Sequence, residues 1–144
     1  MKTREAKAEW SGDLQAGQGR VELGSGAFDG DYSFTSRFED GLGTNPEELL
    51  AAAHAGCFSM ALAHGLTSAG YRPDRIATRA KVRIENIDGA FAIPWIELDT
   101  KGVVPDLDET TFRQQAETAK HGCPVSKALA GPEIRLTSAR LSEA

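Results

Sequence analysis

The sequence predicts a single α+β domain over residues 1–144. Strand-like segments punctuated by glycine fill about the first forty residues, a long apolar helix follows, and later strands and helices lack the regular alternation of a parallel α/β sheet. A chain of 144 residues with 40% apolar side chains is long enough for one hydrophobic core. We therefore expect the element order β-β-β-α-β-β-α-α-β.

The N-terminal segment alternates in side-chain character. Small or aromatic side chains at Ala6, Ala8 and Trp10 alternate with charged ones, and glycines recur as far as Gly30. Alternation with a period of two, interrupted by glycine, is typical of short strands joined by turns. This segment is predicted to form a small antiparallel meander.

A long helix is predicted from about Thr44 to Gly70. Thr44 or Asn45 can act as the N-cap, Pro46 suits the first turn, and acidic residues follow near the positive end of the helix. Gly70 is a plausible stop. Because the helix is apolar on nearly every face between residues 49 and 62, we expect it to be the buried central helix.

The next segment reads as two strands joined by a turn. Apolar and charged residues alternate over 76–85, which predicts a half-buried strand. Asp88-Gly89 supplies a tight turn. The following strand runs from about Phe91 to Leu98, and Pro94 predicts a bulge or an edge position within it.

Two helices and a strand are predicted to complete the chain. The first helix starts near Asp108 and ends near Gly122, with an apolar stripe at Phe112, Ala116 and Ala119. A short helix from Val125 and a last strand over about 134–141 follow.

The composition argues against several classes of partner. The net charge of -5, without a run of Lys and Arg, argues against nucleic acid or an anionic membrane. No segment approaches about 18 unbroken apolar residues, and the N-terminal residues lack the apolar stretch of a signal peptide. We therefore expect a soluble cytoplasmic protein that binds neither nucleic acid nor membrane.

Two cysteines are the candidate reactive groups, and they allow several interpretations. Cys57 lies within the long helix among small and apolar residues, so it can be a core residue. A permanent disulfide with Cys123 is unusual in a reducing cytosol. His54-x-x-Cys57 and His121-x-Cys123 offer the two imidazoles and two thiols of a structural zinc site, although neither spacing matches the common zinc knuckles. A redox cycle is the remaining interpretation.

A redox role requires one thiolate, a second thiol within reach and a cation beside the thiolate. Cys57 lies about 15 Å along the helix from its start, too far for the helix dipole to lower its pKa much, so another positive charge is needed. Cys123 precedes Pro124 at the start of a short helix, a more favourable backbone setting. Local physics leaves open which thiol attacks.

Several segments resemble the OsmC/Ohr family. The helix from Thr44-Asn-Pro-Glu-Glu to His54-Ala-Gly-Cys57-Phe-Ser-Met resembles its cysteine helix, and Gly122-Cys-Pro-Val-Ser126 resembles its second cysteine motif. Similarity extends to 8–13, to Arg37-Phe-Glu39 and to 89–93, which is nearly the whole chain. The arginine before the helix and the Pro-Val-Ser sequence are most similar to the osmotically inducible protein C branch.

The resemblance implies a cysteine-based peroxidase that reduces organic hydroperoxides, and less efficiently hydrogen peroxide, in oxidative and osmotic stress defence. It implies that Cys57 is the peroxidatic thiolate and Cys123 the resolving thiol. Arg37 would stabilise the thiolate and Glu47 would orient Arg37, with Glu48 as the adjacent alternative. Without the resemblance, Arg37 is only a solvated strand residue and Glu47 a helix-start charge.

The resemblance also implies partners and an assembly. No metal or other cofactor is expected, and a dithiol, such as a lipoylated protein, would reduce the Cys57–Cys123 disulfide. The implied fold is a homodimer in which antiparallel sheets enclose two long central helices. Since Glu47 and Cys57 are about 15 Å apart on one helix, we expect Arg37 and Glu47 to meet Cys57 across the subunit interface.

Two other functions remain alternatives to the peroxidase: a thiol-disulfide oxidoreductase acting on proteins and a zinc-stabilised binding module. An oxidoreductase would react with dithiols and disulfides without consuming hydroperoxide. A zinc module would lose its fold on chelation.

Overall fold

The computed structural model describes residues 1–143. These residues form two compact units, one of residues 1–49 and one beginning at Leu50. The boundary falls inside a long helix, and each unit is described by itself. Whether the two units behave as the single predicted domain stays a prediction.

The first unit begins with the predicted antiparallel meander. Its strands are β1 (Ala6–Ser11), β2 (Gln18–Leu23) and β3 (Asp29–Tyr32), in the order β1-β2-β3. Gly19 on the central strand lies opposite both Trp10 and Tyr32, whose ring centroids are 5.4 Å apart. A Cβ at Gly19 would collide with both rings, so only glycine fits there. The glycine spacing therefore reflects packing as well as turns.

A short helix, α1 (Phe34–Phe38), follows the meander and was not predicted. Ser33 and Ser36 form a reciprocal capping box, in which each side chain accepts from the other residue's backbone N–H. Five residues are too few to show a helical period, so only the Ser-x-x-Ser spacing indicates this helix. Arg37 therefore lies on a helix, and its interpretation as a strand residue is wrong.

The long helix, α2, spans Pro46–Ser68, close to the predicted range. The Asn45 side chain accepts from the Glu48 N–H at 2.7 Å, so Asn45, rather than Thr44, is the N-cap. At the other end, Gly70 has φ +94°, and the Tyr71 N–H donates to the Leu66 carbonyl at 2.9 Å. This is the glycine-terminated C-cap that the sequence predicts.

The remaining strands are β4 (Arg75–Val82), β5 (Glu85–Ile87), β6 (Ala90–Ala92), β7 (Trp95–Val103) and β8 (Glu133–Leu141). The predicted strand over 91–98 is two strands, because Pro94 separates β6 from β7. β5 and β6 form a hairpin with positive φ at Asp88 and Gly89, as the turn prediction requires.

The main sheet of the second unit has the order β4-β7-β8. β4 pairs with β7 antiparallel, as expected, but β7 pairs with β8 in parallel, so the expected antiparallel arrangement does not extend to β8. Helices α3 (Glu109–Gly122) and α4 (Pro124–Ala128) form the crossover between the two parallel strands.

The hydrophobic core of the second unit lies between α2, α3 and this sheet. The predicted stripe of α3 is confirmed, since Phe112, Ala116 and Ala119 are its buried residues. They pack with residues of α2 and the sheet, among them Phe58, Leu62, Leu66, Leu98 and Ala139.

Helix α2 is not buried all round within one chain, contrary to expectation. A stripe of four residues, His54, Phe58, Leu62 and Leu66, is fully buried. The opposite side is exposed, and we call it the open face of α2: Ala52, Ala53, Gly56, Met60 and His64. By length and apolar composition alone α2 could cross a membrane, a property that it shares with the core helices of globular proteins.

Candidate active site

The two cysteines lie together in the second unit. Cys57 is on α2, and Cys123 is the junction residue that ends α3 and begins α4. Both thiols are free, and their sulfurs are within hydrogen-bonding reach of each other. A pair of thiols at this separation can share one proton and can be joined as a disulfide after little movement.

Backbone and hydroxyl donors surround Cys123. Its side chain is fully buried, which opposes ionisation, but hydrogen bonds from Cys57, from the N–H and hydroxyl of Ser126 and from the N–H of Val125 outweigh burial. The net effect is a lowered pKa for the Cys123 thiol. This agrees with the more favourable backbone setting predicted for Cys123.

Cys57 has the opposite balance. Burial raises its pKa first, and the hydrogen bond with Cys123 raises it further, while one N–H, that of Val125, acts against both. Within one chain, the single negative charge that the pair can hold is therefore favoured on Cys123. Ionising Cys57 instead requires a further positive charge, as the sequence predicted.

A buried histidine and serine lie beside the thiols. His54 Nε2 and Ser126 Oγ are 2.7 Å apart, and both residues are buried. Burial lowers the pKa of His54, so its imidazole is neutral at physiological pH. From sequence, His54 was a candidate zinc ligand without a redox role, and Ser126 was named only as part of a motif. Their signal was the shared spacing of His54-x-x-Cys57 and Cys123-x-x-Ser126.

Arg37 and Glu47 form an ion pair in the first unit. Arg37 donates to the Glu47 carboxylate from a terminal nitrogen at 2.8 Å and from Nε at 3.2 Å, so the contact is two-pronged. The Glu47 side chain is 8% exposed and that of Arg37 is 34% exposed. The guanidinium carbon also lies 5.2 Å from the centre of the Phe38 ring. The Glu47 carboxylate and the Phe38 ring together hold the Arg37 guanidinium in one orientation.

The local fold explains how Arg37 and Glu47 meet. The Ser36 hydroxyl donates to the Thr44 carbonyl at 2.7 Å, and the Asn45 side chain donates to the Ser36 carbonyl at 3.1 Å. These bonds join α1 to the first turn of α2. Glu48, the predicted alternative to Glu47, is exposed and accepts from the Thr44 hydroxyl at 2.9 Å instead.

The zinc interpretation has no support from the arrangement of side chains. Across residues 1–143, no three His, Cys, Asp or Glu side chains cluster as metal ligands. His54 Nε2 is bonded to Ser126, and the His121 side chain is 77% exposed beside Glu117.

This chain is similar to proteins of a known family. A family model described as OsmC-like protein matches residues 39–138, which include Glu47 and both cysteines. Peroxiredoxin OsmC of Escherichia coli strain K12 is 46% identical over 127 residues, which cover 88% of this chain and 89% of the relative. The chain belongs to the OsmC-like family. The resemblance stated from the motifs is thereby confirmed.

Two further comparisons extend the family assignment. Organic hydroperoxide resistance protein OhrB of Bacillus subtilis is 32% identical over 116 residues, covering 78% of this chain and 82% of the relative. The crystal structure of an organic hydroperoxide resistance protein OsmC from Legionella pneumophila has a TM-score of 0.76 at 23% identity, covering 99% of this chain and 98% of that one. The α+β, OsmC-like fold is therefore confirmed, and the family and its named relatives support a thiol-dependent peroxidase.

Proposed function

We propose that this protein reduces organic hydroperoxides to alcohols through Cys57 and Cys123. The observation that carries the proposal is the contact between these two thiols, which are 66 residues apart in the sequence. A thiol pair alone is also compatible with disulfide exchange. The names of the two sequence relatives, a peroxiredoxin and an organic hydroperoxide resistance protein, favour a hydroperoxide as the substrate.

Exposure supports Cys57 as the thiol that meets the peroxide. Cys57 is partly exposed, whereas Cys123 is fully buried. A peroxide arriving from solvent therefore reaches the Cys57 sulfur first. Cys123, with the lowered pKa, is suited to attack a Cys57 sulfur that has already been oxidised.

The proposed catalytic cycle has three steps. The Cys57 thiolate attacks the distal oxygen of ROOH, the O–O bond breaks, and protonation of the leaving alkoxide gives ROH and a Cys57 sulfenic acid. The Cys123 sulfur displaces the sulfenic hydroxyl, which leaves with a proton as water, and the disulfide forms. An external dithiol is then oxidised as it reduces the disulfide.

We propose that the protein is a homodimer in which the open face of α2 is covered by the partner. Met60 on this face is 76% exposed in the single chain, and the face carries no Asp, Glu, Lys or Arg side chain. An apolar face along a 23-residue helix is costly to leave in water.

The dimer would also place a positive charge beside the Cys57 thiolate. We propose that the Arg37–Glu47 pair of the partner subunit approaches Cys57, with Arg37 supplying the positive charge that a Cys57 thiolate needs. Glu47 would hold the guanidinium in position. The rise of about 15 Å between residues 47 and 57 along α2 favours this arrangement over one helix supplying both groups.

The apolar residues near Cys57 in the sequence have different positions in the structure. Phe58 and Leu62 are fully buried in the hydrophobic core, so they do not line a substrate path. Met60 is exposed and Leu50 is half-buried. A preference for organic over hydrogen peroxide would then depend on residues such as these and on the partner surface.

The reductant and the setting follow from the same proposal. A dithiol is needed to close the cycle, and a lipoylated protein is one of that class. We place the protein in the cytoplasm, in defence against oxidative and osmotic stress.

The test is catalytic turnover with defined peroxides and reductants. Wild-type protein is mixed with dihydrolipoamide and either cumene hydroperoxide or hydrogen peroxide, and peroxide loss is followed. The proposal predicts turnover at a rate at least about tenfold higher for the organic peroxide, and none for Cys57→Ser. Disulfide exchange with dihydrolipoamide, but no peroxide loss, would instead indicate a thiol-disulfide oxidoreductase.

A further inference from the structure

The mechanism above assigns no role to His54 and Ser126, although both are buried beside the thiols. The four residues form two cross-helix contacts with equal spacing: Cys57 meets Cys123, and three residues away on each side His54 meets Ser126. Residues three apart share a helix face, so α2 presents His54 and Cys57 together. The Ser126 hydroxyl lies between the imidazole and the Cys123 sulfur and hydrogen-bonds to both.

The direction of these hydrogen bonds follows from an unpaired atom. His54 Nδ1 is buried and has no hydrogen-bond partner among the described residues. A neutral imidazole carries its proton on one nitrogen only. An unpaired buried N–H is rarer and more costly than an unpaired acceptor, so the proton belongs on Nε2. Nε2 therefore donates to Ser126 Oγ, and the serine's own proton is free to point at Cys123.

We propose that His54 and Ser126 are positioning residues that prepare Cys123 to resolve the oxidised Cys57. The chain of donors runs from His54 Nε2–H to Ser126 Oγ–H to Cys123 Sγ. It stabilises the Cys123 thiolate, which displaces hydroxide from the Cys57 sulfenic acid, forming the disulfide and, after protonation, water. Neither His54 nor Ser126 is among the hydrogen-bond partners of Cys57, so the first step is expected to change little when they are replaced. This inference rests on the proposed function.

The first experiment measures the thiolate without any peroxide. In a Cys57→Ser background, Cys123 is the one remaining thiol of the two in the chain, and its ionisation is titrated by thiolate absorbance. Adding Ser126→Ala or His54→Leu should raise the midpoint by about one pH unit, the effect of losing one hydrogen bond. His54→Gln keeps an N–H donor and should restore most of the shift.

The second experiment separates the two chemical steps in single-turnover stopped flow. Ser126→Ala and His54→Leu should slow disulfide closure by about tenfold, whereas oxidation of Cys57 by cumene hydroperoxide should change by less than about twofold. His54→Gln should close faster than His54→Leu. The matched control is Ser59→Ala, since Ser59 is also on α2 and donates to Thr78 at 2.7 Å, away from the thiols.

These outcomes distinguish the inference from the proposed function. An unchanged Cys123 titration in Ser126→Ala and His54→Leu would overturn the donor chain, even if the enzyme is a peroxidase. Equal slowing of both steps would show a structural role only, and would also overturn it. If peroxide is not consumed but the titration shifts as expected, the donor chain stands and the peroxidase proposal fails. If His54→Leu does not fold, the Cys123 titration and the closure rate are still measured in Ser126→Ala.

Discussion

At the residue scale, the two sulfurs differ in access and in hydrogen-bond donors. Cys123 is fully buried and receives several hydrogen bonds. Cys57 is partly exposed to solvent and receives few. A peroxidatic cysteine needs both access and a low pKa. Among the contacts of the second unit Cys57 has only the first, which is why the proposed mechanism depends on Arg37.

Single cysteine substitutions should therefore have unequal effects. Cys57→Ser removes the thiol that peroxide reaches and should abolish peroxide consumption. Cys123→Ser should still be oxidised, and should accumulate a Cys57 sulfenic acid that a dimedone adduct detects by intact mass. Equal residual turnover in the two variants would contradict the assigned roles.

The Arg37–Glu47 pair should control the first step. Lysine cannot reproduce the two-pronged contact of arginine with a carboxylate, so Arg37→Lys should slow Cys57 oxidation by about 100-fold, and Glu47→Gln should slow it in the same direction. Stopped-flow oxidation by cumene hydroperoxide measures this.

A matched control for that substitution lies on β8. Arg135 also contacts a carboxylate, that of Glu133 at 2.8 Å, and lies 5.3 Å from the centre of the Trp95 ring. Arg135→Lys should leave Cys57 oxidation unchanged. Similar slowing in both variants would argue against a specific role for Arg37.

At the element scale, periodicity and caps predicted the long elements well. Helices α2 and α3 and strand β4 show repeated side-chain patterns over eight or more residues, and their bounds agree with the sequence. Helix α1 was missed because five residues show no period. The parallel pairing of β8 was missed because a strand's own pattern does not reveal its neighbour's direction.

The candidate site was only partly accessible from sequence. Motif resemblance named Cys57, Cys123, Arg37 and Glu47, and the structure joins them as two contacting pairs. The contact of His54 with Ser126 spans 72 positions of sequence. Its one sequence signal, the equal spacing of each residue from a cysteine, becomes informative only when the two cysteines are known to meet.

The N-cap of α2 makes a direct stability prediction. Asn45 accepts from the Glu48 N–H and donates to the Ser36 carbonyl, so it both starts α2 and holds α1. Asn45→Ala should lower the free energy of unfolding in urea by about 1–2 kcal/mol, at fixed protein concentration. Asn45→Ser keeps a capping oxygen and should lose less. No difference between the two variants would show that the cap contributes little.

At the scale of the whole molecule, the open face of α2 is the feature that one chain leaves unexplained. The same helix buries four large side chains on one side and exposes small ones and Met60 on the other. A partner chain would convert that exposed face into the buried environment first expected for this helix.

A charge on the open face should weaken the dimer. Met60→Glu would bury an unpaired carboxylate at the proposed interface and should raise the dimer dissociation constant by roughly 100-fold, measured by analytical ultracentrifugation. Peroxide turnover should fall with it, because the partner's Arg37 is lost. Thr118→Glu, on the exposed side of α3, is the control and should remain dimeric. A wild-type monomer with full activity would contradict the proposed assembly.

The most direct test of the central claim is intact mass after one turnover. Fully reduced protein is treated with one equivalent of cumene hydroperoxide, quenched in acid with a thiol-blocking reagent, and weighed under denaturing conditions. The account predicts a mass about 2 Da below that of the reduced, unblocked protein, with neither cysteine carrying the blocking group. This is the mass of a protein with a Cys57–Cys123 disulfide, formed within milliseconds to seconds. A protein that still carries two blockable thiols, with the peroxide unconsumed, would contradict it.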